Sequence, residues 1–282
     1  MFTNRALVVV VALLLLSAGC LGGGGGASDA ADGASGGADG GDGAASQSGD
    51  ADGDDGASSS DELELTDAEQ TLRDAGSFTA AWTYRGVDER GVESEVRHEF
   101  YVDLDGERSL TALSSTRDGQ SDGGSMQQFF ADGVTYVQSG PADSPTYFSY
   151  EQQTSDPLAS ALGFSQARVY GNDDDLSFAG SETFDGVSVE RYELSEASSQ
   201  LVQAGSAVDA GTGSGNVEIT DFHYTVLVDE DGLSRYESWS YEGETADGET
   251  ISGEWEYSLT KVGSTTVDDP EWLAEAQAAS AA

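Results

Sequence analysis

The chain of 282 residues contains one cysteine, one lysine and two histidines, and its longest apolar run is eleven residues. Each shortage removes a class of explanation. Cys20 has no partner for a disulfide, and His98 and His223 are too far apart in sequence to complete a recognisable metal motif with it. A nucleophilic thiol needs a base beside it on rigid backbone, whereas Cys20 is followed by leucine and five glycines. With 11 basic residues against 53 acidic ones there is no patch to meet phosphates, which excludes nucleic acid as a partner. The apolar run, Ala6 to Leu16, falls short of the roughly 20 residues that span a bilayer core.

That run follows Arg5 and ends in the small residues Ser17, Ala18 and Gly19, the form of a secretory signal with its cleavage site. No Arg-Arg pair precedes it, so the signal reads as Sec-type rather than twin-arginine. "SAGC" resembles the lipobox of prokaryotic lipoproteins, with Ser17 where leucine is commoner. The resemblance implies that Cys20 becomes the first mature residue, carries lipid on its sulfur and anchors the protein to the outer face of the cell membrane. Loss of residues 1–19 removes Arg5 and no acid, so the net charge moves from −42 to −43. So much like charge strains a compact state at ordinary ionic strength. At about 1 M salt the Debye length falls to about 3 Å, and neighbouring carboxylates barely interact. Abundant Asp and Glu with Lys261 as the sole lysine resembles proteins of extremely halophilic archaea.

Residues 20–60 form a tether of glycine, alanine, serine and aspartate, with eight aspartates and no aromatic or basic residue. An EF-hand reading of "DADGDDG" from Asp50 fails, because Asp55 and Asp61 stand where glycine and glutamate are required.

The folded domain is expected over 61–282. Thr66 with Glu69 three residues on reads as a capping box for a short helix stopped at Gly76. From Ser77 the period becomes two. Phe78, Ala80, Trp82 and Tyr84 share one face; Val96, His98, Phe100, Val102 and Leu104 do so on the next strand, where His98 reads as a core or rim residue. Asp-Gly pairs at 105, 118, 132, 185, 231 and 247 read as hairpin turns, because both residues tolerate positive φ. Helices are expected in "TSDPLASALGF", with Ser155 or Asp156 as cap and Pro157 first, in "SEASSQLVQAG", and at the C-terminus, where Asp269 caps and Pro270 opens. A glycine-rich loop lies between Ala207 and Asn216.

Leu233, Arg235, Glu237, Trp239 and Tyr241 share a parity, as do Phe222, Tyr224, Val226 and Val228, and also Trp255, Tyr257 and Leu259. A sheet face this rich in rings needs a cover larger than a few short helices provide. The fold class expected is therefore α+β: a curved, mainly antiparallel β-sheet, a half-barrel, with a few short helices on its concave side. Such a sheet leaves an apolar cavity for a small ligand.

The order of elements, with "GSFTAAWTYRG", "EVRHEFYVDLDGER", "FFADGVTYV", "LSFAGSETFDGVSVERYEL" and "VDEDGLSRYESW", resembles haloarchaeal surface lipoproteins of unknown function. More distantly it is similar to the LolA/LppX-like superfamily of lipoprotein carriers and lipid-binding lipoproteins. The resemblance covers nearly all of Asp61 to Ala282. It implies an open half-barrel whose helices plug the concave side, a cavity that accepts acyl chains, and no catalytic residues. A tethered protein departs from a soluble shuttle, which argues against delivery between two membranes.

Enzymatic motifs do not hold together. Ser258 to Lys261 matches S-x-x-K but lies in an alternating run that points the two residues to opposite sides. "GFSQA", Gly163 to Ala167, approximates a nucleophile elbow but follows a helix instead of a strand. "NDDDL" at Asn172 reads as a solvated loop, and "GTGSGN" lacks the context of a phosphate loop. The sequence thus points to a non-enzymatic protein without metal or cofactor, binding a lipid or isoprenoid among Trp82, Phe100, Tyr136, Tyr224, Trp239, Trp255 and Tyr257. The alternative is a protein–protein interaction module at the cell surface with a filled core.

Overall fold

Twelve strands and four short helices are present in the computed structural model, which describes residues 63–121, 125–151, 156–171, 175–195 and 217–280. Cys20, the signal, the tether, the helix expected in "SEASSQLVQAG", the loop up to Asn216 and most of "NDDDL" lie outside the described residues. The strands are β1 Ser77–Val87, β2 Glu93–Asp103, β3 Arg108–Arg117, β4 Gln120–Ser121, β5 Ser125–Ala131, β6 Val134–Gly140, β7 Thr146–Tyr150, β8 Ser177–Phe184, β9 Val187–Leu194, β10 Val217–Asp229, β11 Ser234–Thr245 and β12 Thr250–Thr260. The helices are α1 Ala68–Ala75, α2 Pro157–Leu162, α3 Ala167–Tyr170 and α4 Leu273–Ser280.

All strands join one antiparallel sheet in the order β7-β6-β5-β3-β2-β1-β12-β11-β10-β9-β8, with β4 added to β3. Two meanders therefore meet at a central seam between β1 and β12. The sheet does not close: β7 and β8 are its ends. This is the curved half-barrel that the alternating pattern and the Asp-Gly turns imply. Asp118-Gly119, Asp132-Gly133 and Asp185-Gly186 each have both residues at positive φ, the backbone of a two-residue turn matched to strand twist. At the pairs beginning at 231 and 247 only the glycine is in that region, and the turn at 105 places Glu107 there instead.

Residues opposite one another in an antiparallel pair share a face, so the register fixes the two sides of the sheet. One row runs Trp82–Tyr257–Glu237–Val226 and, in the other direction, Trp82–His98–Leu113–Met126. The helices α1 and α2 bury this inner face through Leu72, Leu158 and Ala161, packed on Phe78, Ala80, Phe100, Val102 and Leu259. Through Ala167 and Tyr170, α3 covers the neighbouring part with Phe222, Tyr224, Val226 and Ile251. The fourth helix lies on the other side. Thr79, Tyr101, Leu110, Phe129 and Tyr136 form one outer row, and Trp272 and Ala276 pack on it.

Two helix starts differ from the sequence reading. Asp67, not Thr66, caps α1, its carboxylate accepting from Glu69 N at 3.1 Å and Gln70 N at 3.3 Å. The Thr66 backbone N–H is already bound to Gly232 O at 2.9 Å, which fixes that residue one step outside the helix. Gly76, in the left-handed region at φ 75°, ends α1 as expected. The C-terminal helix begins at Leu273, three residues after Pro270, because the Asp269 carboxylate is taken by Arg108 and does not cap. Asp156 and Pro157 open α2 as the sequence indicates.

Candidate functional site

Six of the seven ring positions expected at the site come together on the inner face. Trp82 stacks on Phe164 of the α2–α3 connection at 4.7 Å between centroids; Trp239 stacks on Trp255 at 6.1 Å, and Trp255 on Tyr257 at 6.2 Å. Phe100 lies 5.9 Å from Phe164, and Tyr224 packs on Tyr170 at 4.3 Å. Tyr136 does not join them. Its pairing with Phe129 puts it on the outer face, against the cluster around Trp272. The phase of β5 and β6 relative to β1 depends on register across up to four strand pairings, which parity within each strand does not reveal.

Most of these rings are packed solid. Phe100, Tyr224, Trp255 and Tyr257 are buried, and only Trp82 and Trp239 remain half-buried. Apolar surface is open instead along part of the inner face of the β3–β7 wing, where Thr135 and Val137 of β6 are buried and their neighbours are not. By register Leu113, Met126, Phe130, Phe148 and Tyr150 face this side; all are at least partly exposed, Phe148 at 46%. His98 stands at the border, 4.1 Å from Phe100 and 6.3 Å from Trp82 by ring centroid. Burial lowers its pKa to about 4, so its ring is neutral at physiological pH.

The residue that sequence reasoning passed over is Glu237. It occurs in the right parity row, a carboxylate among rings, yet was read only as part of the pattern. It is fully buried. Ser165 donates its hydroxyl to Oε1 at 2.5 Å, Ser234 does so at 3.1 Å, and the Gln166 backbone N–H donates to Oε2 at 2.6 Å. Trp239 Nε1 donates to Gln166 Oε1 at 3.1 Å. The α2–α3 connection is therefore latched to β11 by one carboxylate and one indole. Desolvation raises the Glu237 pKa to about 7, while the donated hydrogen bonds pull the other way. Ser165, the serine of the elbow-like "GFSQA", thus donates directly to a carboxylate, with no histidine between them.

Around this latch the polar accounting is incomplete. Trp82 Nε1, Tyr224 OH and Tyr257 OH are buried and lack a hydrogen-bond partner among the described residues. Burial, reinforced by the Glu237 charge, holds both tyrosines well above their ordinary pKa. Such atoms carry a desolvation cost unless something else meets them.

A separate cleft of about 620 Å3 opens at the end of the seam, lined by residues such as Arg85, Glu95, Glu242 and Glu254. Its lining mixes charged side chains with apolar surface, and Arg85 is already paired with Glu95 and Glu256. Paired Gly86 and Gly253 form its floor on the seam, with the Tyr84 and Tyr241 rings lying over them from the inner side. No group of three or more metal-binding side chains occurs among the described residues, nor any helix long and apolar enough to cross a membrane.

An open antiparallel half-barrel with a latched helical cap and a partly uncovered apolar wing defines the class of this domain. The chain belongs to DUF7537, a family of unknown function whose model matches residues 5–276. No curated protein matches the sequence. Among solved structures it is similar to LprF from Mycobacterium bovis, at 11% identity over 73% of this chain and 98% of that one, with a TM-score of 0.36. A beta-barrel-like protein of DUF1849 from Brucella abortus matches at 10% identity over 65% of this chain and 97% of its own, with a TM-score of 0.22. At these values the likeness bears on neither ligand nor activity.

Proposed function

We propose that this is a non-enzymatic, lipid-anchored protein on the outer face of a halophilic archaeon's cell membrane, and that its domain holds a lipid or isoprenoid on the inner face of the half-barrel. The observation that carries the reading is the uncovered wing: Leu113, Met126, Phe130 and Phe148 sit beside a ring-lined interior without a helix over them among the described residues. Apolar lining with a few buried polar atoms at its border is the usual composition of a small-molecule site. At about 25 cal/mol per Å2 of apolar surface removed from water, a chain of several methylenes along this wing gives useful affinity. The anchor rests on Cys20 and the segment before it.

A second reading has its own observation. Burial of Phe100, Tyr224, Trp255 and Tyr257 fills the helix-covered half of the interior, as in a protein interaction module with a solid core. Native mass spectrometry of protein purified without detergent, in volatile salt concentrated enough to keep it folded, separates the two. Bound lipid supports the first; its repeated absence, with exchange controls, supports the second. For the anchor, Cys20→Ser is expected to release the protein to the medium or leave the signal uncleaved. Membrane retention of a cleaved Cys20→Ser protein refutes lipidation.

A further inference from the structure

The inner face holds a buried acid and no free base. Among the described residues the arginines that parity assigns to this face are engaged, Arg117 at the far rim 3.6 Å from Asp88 and Arg235, beside the β10–β11 register shift, with Asp229 and Asp185, and its one histidine, His98, is neutral. At the centre of the face sits Glu237, in the same row as Tyr257 and Trp82. An anionic head group placed beside Trp82 meets no cation and lies two strand spacings, about 10 Å, from that carboxylate. An acceptor without charge has a partner there, because the Trp82 indole N–H is buried and unsatisfied and can only donate.

We propose that the inner-face site takes uncharged amphiphiles bearing a hydrogen-bond acceptor, such as an alcohol, ester or ketone, and rejects anionic ones, with Trp82 meeting the acceptor and Glu237 supplying the repulsion. The proposal rests on the ligand-site reading above and adds the chemistry of the head group. At an effective dielectric of about 20, two like charges about 10 Å apart disfavour the acid by roughly tenfold. The net charge of the whole chain cannot imitate this in brine. At about 2 M salt surface repulsion is screened within a few ångströms, whereas a charge in the interior is screened much less.

The test uses the mature protein in about 2 M sodium chloride, with the uncharged fluorophore N-phenyl-1-naphthylamine as reporter and 1-decanol and decanoate as competitors. At pH about 8.5, where Glu237 and decanoate are both ionised, decanol is expected to displace the reporter at a concentration roughly tenfold below that of decanoate. At pH about 6 decanoate keeps its charge while Glu237 gains a proton, and the gap is expected to shrink to within about threefold. Glu237→Gln is expected to remove the gap at both values, and Trp82→Phe to weaken decanol about fivefold more than it weakens the reporter, which offers no oxygen acceptor. If Glu237→Gln does not fold, the two pH values on the native protein decide. Reporter binding with equal displacement by both competitors at the higher pH overturns the charge selection and leaves the site standing. Absence of reporter binding removes the site and the selection together.

Discussion

Protonation of Glu237 is expected to contribute a loss of stability as pH rises, opposite in sign to His98, whose lowered pKa makes its own contribution grow up to about pH 6.5. Replacing Glu237 with glutamine keeps its shape but removes the titration. In the folded protein this carboxyl has a pKa of about 7, against 4.5 for an ordinary glutamate. The folded form therefore holds its proton more tightly than the unfolded chain does. Its contribution is complete below pH 4.5, declines as pH rises to about 7 and is level above that. At about 1.4 kcal/mol per unit of displacement, the decline amounts to about 3 kcal/mol. The titratable groups around it, Tyr170, Tyr224 and Tyr257, all have pKa values raised above 10 and stay neutral throughout. Urea unfolding followed by tryptophan fluorescence in about 2 M salt, at pH values from about 5 to 8, gives the stability difference between Glu237→Gln and the native protein. Because roughly a fifth to a quarter of the decline lies below pH 5, that difference is expected to change by about 2.5 kcal/mol in favour of the variant over this range. A difference constant to within about 0.5 kcal/mol across the range refutes the assignment.

Other perturbations follow from the same structure. Arg235 is buried, with Nη1 3.3 Å from Asp229 Oδ2 and Nη2 3.6 Å from Asp185 Oδ2, while its Nε donates to Leu259 O; Arg235→Ala takes the cation from two carboxylates that keep only backbone N–H donors, and is expected to cost about 1 to 3 kcal/mol in urea unfolding. Unchanged stability of that variant excludes a role for this clamp between the ends of β8, β10 and β12. A Cβ on Gly253 meets the Tyr241 ring at 2.5 Å, so Gly253→Ala is expected to lose about 1 to 3 kcal/mol, and adding Tyr241→Ala to recover part of the loss attributable to the clash; strict additivity in the double-mutant cycle contradicts the overlap. Dilution to about 0.1 M salt, where screening reaches only over about 10 Å, is expected to unfold the domain, and a native near-ultraviolet circular dichroism spectrum there argues against adaptation to brine.

Much of the sheet was legible because its signals are local. Alternation in Phe78 to Tyr84 and in Val96 to Val102 gives two strands, and three Asp-Gly pairs have the positive φ values that tight turns require. The helix caps were displaced because several acceptors compete: Thr66 and Asp67 are both suitable, and tertiary bonds to Gly232 and Arg108 decide which chain positions are free to cap. The outward orientation of Tyr136 follows from accumulated register, a non-local quantity. Glu237 had a local signal after all, one carboxylate in the row with Trp239 and Tyr241. What parity could not supply was the α2–α3 connection opposite it, which brings Ser165 and Gln166 within reach from distant sequence. The register shift at Leu227 and Val228, which turns Ser234 toward the same carboxylate, leaves no mark in the sequence either.

The seam between β1 and β12 constrains how the chain can mature. On its second edge Thr79 finds its partner only at Thr260, so β1, paired with β2 on one side, keeps a raw hydrogen-bonding edge on the other until residue 260 has been delivered. Vectorial emergence of the polypeptide, from ribosome or translocation channel, therefore produces two incomplete wings that zip together in one late step. Truncation before β12 would strand both halves, and any chaperone serving this protein would have to guard that edge of β1 until β12 emerges.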